Sequence, residues 1–301
     1  MRFGIMAMQL ESLLPMTSST ELDIAKLAQF DHANLVRKIA QSGFKLIELG
    51  GDLYVFLNHT FSPQAIERLG QLKAELDLNF TVHLPLWSVE PSTPLTQVRR
   101  GSIQAVTEII QATLQLQPET YVLNATGSLA AEFYRMKIPD ASRMMLLRIF
   151  YSNARESIKQ ILSETGIPSR LLAIETIEFP FEHTLELANE LDLSICLDTG
   201  HILVGFSGPI DILHALELCL PRLGEVHLHD GVWQGLEMKI GYGLDHQKLG
   251  AGDLNVRDFL DRLILADWNG PIIFELSIKQ AHESLEFIHS LNSQYLRIPH
   301  A

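Results

Sequence analysis

Cysteine is almost absent from this 301-residue chain, which holds only Cys196 and Cys219. Two thiols cannot build a disulfide framework, and their scarcity fits a reducing, cytoplasmic setting. Positive charge is also in deficit, with 23 Lys and Arg against 36 Asp and Glu, for a formal net charge of −13. A chain this acidic repels phosphate backbones, so no nucleic-acid partner is expected. No stretch approaches the ~18 uninterrupted apolar residues of a membrane span, and no membrane partner is expected either. The opening MRFGIMAMQLESLLP lacks the charged start and continuous apolar run of a secretion signal, because Glu11 breaks it. Polar tracts and linkers are missing too. Residues 1–301 therefore read as one globular domain.

What is present is alternation. Short apolar runs are predicted as strands at Arg2–Met8, Lys45–Leu49, Asn79–Leu84, Thr120–Asn124, Leu171–Glu175, Leu193–Asp198, Glu225–His229 and Pro271–Leu276. Each is rich in Ile, Val, Leu or Phe, as strands covered on both faces should be. Between them apolar residues recur three and four apart, the helical spacing, as in Ile66, Leu69, Leu72 and Leu76. Pro63, Pro94 and Pro209 stand where helices should begin. Eight strands alternating with eight helices predict a parallel sheet, and at this length a closed (β/α)8 TIM barrel. Two long loops are expected, Thr126–Pro139 and Gly231–Leu254, the second glycine-rich and able to close over a site.

The ends of the predicted strands are where polar residues gather. Glu48, His83, Asn124, Glu175, Asp198, His227, His229 and Glu275 close strands 2 to 8, with His201 just after strand 6 and His246 in the loop after strand 7. In a parallel barrel all these ends meet at one mouth, the face where barrel active sites are built. Five of the twelve histidines fall there. Crowded carboxylates and imidazoles need a compensating charge, and a divalent cation supplies it. Two Glu, one Asp and one His suit Mn²⁺, Mg²⁺, Co²⁺ or Zn²⁺. Asp198 also has a simpler reading, as the cap of the next helix. The remaining histidines, His32, His59, His183, His214, His282, His289 and His300, read as surface residues. Cys196 reads as a small buried thiol, Cys219 as core, and Met144–Met145 as helix packing. Arg99 and Arg100 read as a solvated helix face.

The strings FKLIELGG, FTVHLPL, LLAIET, LDTGHI, VHLHDG, HQKLGAGD and PIIFEL resemble, in order, those of the xylose isomerase-like TIM barrel superfamily. The resemblance runs from Phe3 to about Ile288. That grouping includes sugar and sugar-phosphate isomerases and epimerases, and AP endonuclease family 2 (endonuclease IV). By analogy with the epimerases, Glu175, Asp198, His227 and Glu275 match a single-metal ligand set, and Glu175 and Glu275 carry protons on opposite faces of the substrate. His201 and His83 match positions that contact substrate or support the metal, and His246 belongs to the family's loop after strand 7. His201 is read as catalytic beside Glu175 and Glu275, and His83, Glu48, Asn124, His246 and His229 as the substrate-binding residues of the mouth.

Departures from endonuclease IV are informative. Asn124-Ala125 stands where that enzyme has a metal-ligating His, and Leu244 where it has an Asp, although Asp245 is adjacent. A one-metal site is thus favoured over a two-metal one. VHLPL, EFPFE, ELDLSICLDTGHIL and VHLHDG also resemble the cobamide-remodelling phosphodiesterases. Three functions follow as expectations. The first is metal-dependent isomerisation or epimerisation of a sugar or sugar phosphate. The second is metal-assisted phosphoester hydrolysis, with His83 or His246 neutralising charge, and the third a sugar-binding barrel without catalysis. Oligomeric state is not readable.

Overall fold

The computed structural model describes residues 1–6, 30–237 and 239–296. Eight parallel strands close into a barrel in chain order: β1 (Arg2–Met6), β2 (Leu46–Gly50), β3 (Asn79–His83), β4 (Tyr121–Leu123), β5 (Leu172–Glu175), β6 (Ser194–Asp198), β7 (Leu223–His227) and β8 (Pro271–Phe274). The TIM barrel expected from the alternation is the fold. No helix among the described residues is long and apolar enough to cross a membrane.

Strand parity sorts the side chains. In β2, Ile47 and Leu49 join the main core beneath the helices, whereas Leu46 packs with Met6 and Ile273 in a separate cluster. Val122, Ala173 and Cys196 form another such cluster. These are the barrel's lumen, and residues two positions further along each strand point the same way. That rule carries the chain from Leu46 to Glu48, Val122 to Asn124, Ala173 to Glu175, Cys196 to Asp198 and Ile273 to Glu275. An apolar plug fills the lower lumen and a polar layer sits directly on it. Cys196 is fully buried, and burial pushes its thiol well up, as expected of a packing residue.

The helices begin and end on local signals. Ser62 caps Pro63–Leu76, with Pro63 in the first turn and Asp77 in left-handed conformation (φ 52°) after its end. Ser277 and Gln280 form a reciprocal capping box on Ile278–Leu291.

Several expectations are corrected. Pro94 and Pro209 precede their helices, which start at Thr96 and Ile212; Asp211 is the cap of the latter. The expected loop Thr126–Pro139 holds the helix Ser128–Arg135, which buries Ala130, Ala131 and Tyr134. His32 and His183 are buried, not on the surface: His32 packs against Phe61, and His183 between Tyr151 and Phe179. Met144 and Met145 are exposed rather than packed. The strand ends shift by one or two residues, so His229 and Glu275 lie just past β7 and β8. Residues 7 and 8 of the first predicted strand, and His300, lie outside the described residues.

Candidate metal centre and acid/base site

Four of the residues singled out converge. Glu175, Asp198, His227 and Glu275 each place one ligand atom within 4.8 Å of all the others, and all four are buried. His227 Nδ1 is the hub, 3.2 Å from Glu175 Oε1, 3.5 Å from Glu275 Oε1 and 3.7 Å from Asp198 Oδ2. The register sets this up, because Asp198 is paired with His227 across β6 and β7. Three buried carboxylates around one imidazole carry more negative charge than that ring can offset. The set fits a divalent cation, which takes carboxylate oxygen and imidazole nitrogen together.

Asp198 is both the helix cap and a member of the cluster. Its Oδ1 accepts from the His201 backbone N–H (2.7 Å) at the start of Thr199–Leu203. Its Oδ2 faces His229 Nε2 at 2.9 Å. The His246 backbone N–H donates to His229 Nδ1 (2.9 Å). With Nδ1 accepting, Nε2 must carry the proton that His229 gives to Asp198. His229 therefore orients Asp198, with both ring nitrogens used. Gly200 leaves room for this ring, since a Cβ there would land on the His229 imidazole.

The two glutamates are wired alike. Glu175 Oε2 accepts from Asn124 Nδ2 (2.6 Å) and lies 3.4 Å from His83 Nε2. Glu275 Oε2 lies 3.3 Å from His246 Nε2. Burial would push Glu175 up, but its bonds to His227 and His83 and the charge of His201 outweigh this and hold it well below the usual carboxylate range. Burial acts the same way on Glu275, where His227 and His246 prevail and bring it to about 2. His83 Nδ1 donates to the Leu84 carbonyl (2.8 Å) while Nε2 faces a carboxylate. Burial opposes its charge, yet Glu175 raises it to about 10. His246 lies between Asp245 and Glu275, which overcome burial and raise it to about 11. Its backbone sits in the left-handed region, φ 52°, a conformation side-chain-bearing residues rarely take.

His201 is buried beside the cluster, with Nδ1 donating to the Thr176 carbonyl (3.2 Å) and lying 3.5 Å from both Glu175 and Asp198. Glu48 is placed differently from the rest. It lies beneath His227, fully buried, with Oε2 3.4 Å from His227 Nε2 and away from the mouth.

The sequence assigns no role to Glu225 or Asp230, and Asp245 enters it only as the neighbour of Leu244. Glu225 lies under His227, accepts from the Thr81 hydroxyl (3.1 Å), and with Glu48 and His227 forms a second buried group. Burial and the neighbouring Glu48 push it well above the usual carboxylate range. Asp245 reaches His246 (2.9 Å) and stands 3.9 Å from His201. Asp230, buried, accepts from the backbone N–H groups of Gly231, Gly250 and Leu254 at 2.9 Å each, tying together both ends of the long loop after β7.

An uncharacterised protein of Methanocaldococcus jannaschii is 24% identical over 250 residues, covering 80% of this chain and 78% of that one. Among solved structures, a D-tagatose 3-epimerase-like protein superposes with a TM-score of 0.70 at 21% identity, covering 99% of this chain and 98% of that one. Endonuclease IV from Thermus thermophilus superposes with a TM-score of 0.64 at 18% identity, covering 97% and 99%. Likeness at this identity establishes the shared barrel. The family profile described as xylose isomerase-like TIM barrel matches residues 36–291, and the chain belongs to that family.

Proposed function

We propose that the chain is a divalent-metal-dependent isomerase or epimerase of a sugar or sugar phosphate, with Glu175 and Glu275 as its acid/base pair. The matched wiring of the two glutamates carries this reading. Each turns Oε1 toward His227 Nδ1 and Oε2 toward an imidazole of the mouth. Glu175, Asp198, His227 and Glu275 would hold the ion, which supplies electrostatic polarisation of a sugar carbonyl.

Both glutamates are kept ionised; Glu175 takes the proton from the carbon next to that carbonyl, and Glu275, first loaded with a proton from solvent, returns one from the other side. Their surroundings assign them different traffic with water. The His83 side chain is 5% exposed and Asn124 bonds the same Glu175 oxygen, so a proton held there is shielded. The His246 side chain is 45% exposed and relays solvent protons to Glu275. His201 and His229 hold the Asp198 end rigid. The epimerase-like neighbour supports the reaction class, and the presence of all four ligand-type side chains argues against a sugar-binding barrel without catalysis.

The test is ¹H NMR in D₂O, with the protein and Mn²⁺, Mg²⁺, Co²⁺ or Zn²⁺ presented with a panel of ketoses and sugar phosphates. Carbon-bound deuterium in the product is the expected result. Release of inorganic phosphate without carbon-bound deuterium would overturn this reading in favour of the phosphoester hydrolase.

A further inference from the structure

The C-terminal ends of β3, β4 and β5 each place one residue, His83, Asn124 and Glu175, in the glutamate network, and the loops that follow turn into the wall of an adjoining space. Leu86 stands three residues past His83, Thr126 two past Asn124, and Ile177 two past Glu175. The cleft they open is about 720 Å³, inside the roughly 300–1,000 Å³ range of small-molecule sites. Its walls are mostly apolar, with Leu86, Trp87, Val89, Val98, Leu129 and Ile177 prominent. Trp87, Val98 and Leu129 each leave about two-fifths of their surface in water. Trp87 is nevertheless fixed in place. Phe56 packs edge-on to its ring at 5.7 Å, and buried Asp52 accepts the backbone N–H groups of Leu86 and Trp87, both at 2.9 Å.

The charged groups of this cleft are already engaged, and the hydroxyls of Ser88, Thr126 and Ser128 are among its remaining polar side chains. No Lys, Arg or His lines it among the described residues. Glu90 accepts from the backbone of Gly127 (2.8 Å) and Leu129 (3.1 Å) and from the Ser92 hydroxyl. It thereby fills the helix start where an anion would otherwise bind. Glu178 is taken up by Arg135 (2.5 Å) and Tyr242 (2.8 Å). A phosphate finds no counter-charge here. A bare sugar, with a hydroxyl on nearly every carbon, has more hydroxyls than Ser88, Thr126 and Ser128 can pair, and would leave the rest against Trp, Leu and Val. A flat, neutral, apolar group matches the walls.

We propose that the substrate is a sugar bearing a neutral, flat, apolar substituent, the sugar lying over the Glu175–Glu275 cluster and the substituent against Trp87. The inference rests on the sugar reading above. Continuity through three consecutive loops assigns the cleft to the substrate itself rather than to a separate partner.

Calorimetric titration of the full chain with Mn²⁺ present tests this, using phenyl β-D-glucopyranoside, methyl β-D-glucopyranoside and 2-naphthol as probes. The phenyl glucoside should bind at least about tenfold tighter than the methyl one. Trp87→Ala and Val98→Asp, both at partly exposed positions, should each remove that preference while leaving the affinity for the methyl glucoside in place. Equal affinity for the two glucosides in the unmutated chain overturns the proposal. Naphthol binding as tightly as the phenyl glucoside, with the same Trp87 dependence, leaves an apolar cleft but defeats the sugar reading and the joined substrate with it.

Discussion

The ends of β5 to β8 and the segments after them give the barrel mouth Glu175, Asp198, His201, His229, His246 and Glu275, whereas the segments after β2 to β4, His83 and Asn124 aside, give it Phe56, Trp87, Leu95, Val98 and Leu129. On the first side each of these side chains is held by another polar group, as Asp198 is by the His201 backbone and the His229 ring. On the second side position comes from packing and from backbone bonds to Asp52 and Glu90. Proton transfer requires alignment to a fraction of an ångström, and directional bonds provide it. Recognition of an apolar group tolerates small shifts, so contact area suffices.

The largest effect should separate the two sides cleanly. Glu275→Gln should lower turnover by roughly 100- to 10,000-fold with the melting temperature kept, whereas the loss in Trp87→Ala should fall on KM. Steady-state kinetics on the substrate found by the deuterium screen decides this. Near-normal turnover in Glu275→Gln would remove that residue from the chemistry.

Next comes Gly200→Ala, which pushes the His229 ring away and releases Asp198 Oδ2. Metal affinity should fall by roughly 10- to 100-fold, measured by Mn²⁺ titration. Unchanged affinity would mean that His229 does not orient Asp198.

The smallest effect lies beneath the charged side. Folded Glu225 keeps a proton that the unfolded chain gives up above its ordinary value of 4.5. Its contribution to stability is therefore full below that value and is lost as pH rises. Glutamine does not titrate, so the melting temperature of Glu225→Gln relative to the unmutated chain should climb between pH 5 and 8, by roughly a few degrees. A pH-independent difference would show that Glu225 is ionised in the fold.

Much of the charged side was legible in the sequence, and a strand boundary explains what was missed. Period-two alternation finds Glu175, Asp198 and Glu275 because each lies two past a lumen residue. The same rule reaches Glu225 from His227. With the seventh strand read as Glu225–His229, however, Glu225 fell at the strand's far end; β7 begins at Leu223, which lifts Glu225 directly under His227. The face was right because the shift is even. The helix Ser128–Arg135 escaped because two turns are too short to display a period, and Gly127 and Pro139 frame it as a loop. The burial of His183 depends on Tyr151, some thirty residues earlier, which its own neighbours in sequence do not reveal. The apolar cleft was invisible for a similar reason. Trp87, Val98 and Leu129 look like ordinary core residues until the segments after β3 and β4 bring them to one wall.

Asp230 has a consequence for how such a barrel can be rebuilt. By gripping Gly231 at one end of the loop and Gly250 and Leu254 at the other, it makes the segment a cassette with a fixed socket. The stretch between can change length or content without asking the barrel to move, since the anchor points stay together. His246 travels inside the cassette, whereas His229 belongs to the socket. Exchanging the cassette would thus replace the solvent-facing proton carrier while Glu175, Asp198, His227 and Glu275 stay on the barrel, provided the new segment still offers a backbone N–H to His229, a natural seam along which one barrel can acquire a new reaction.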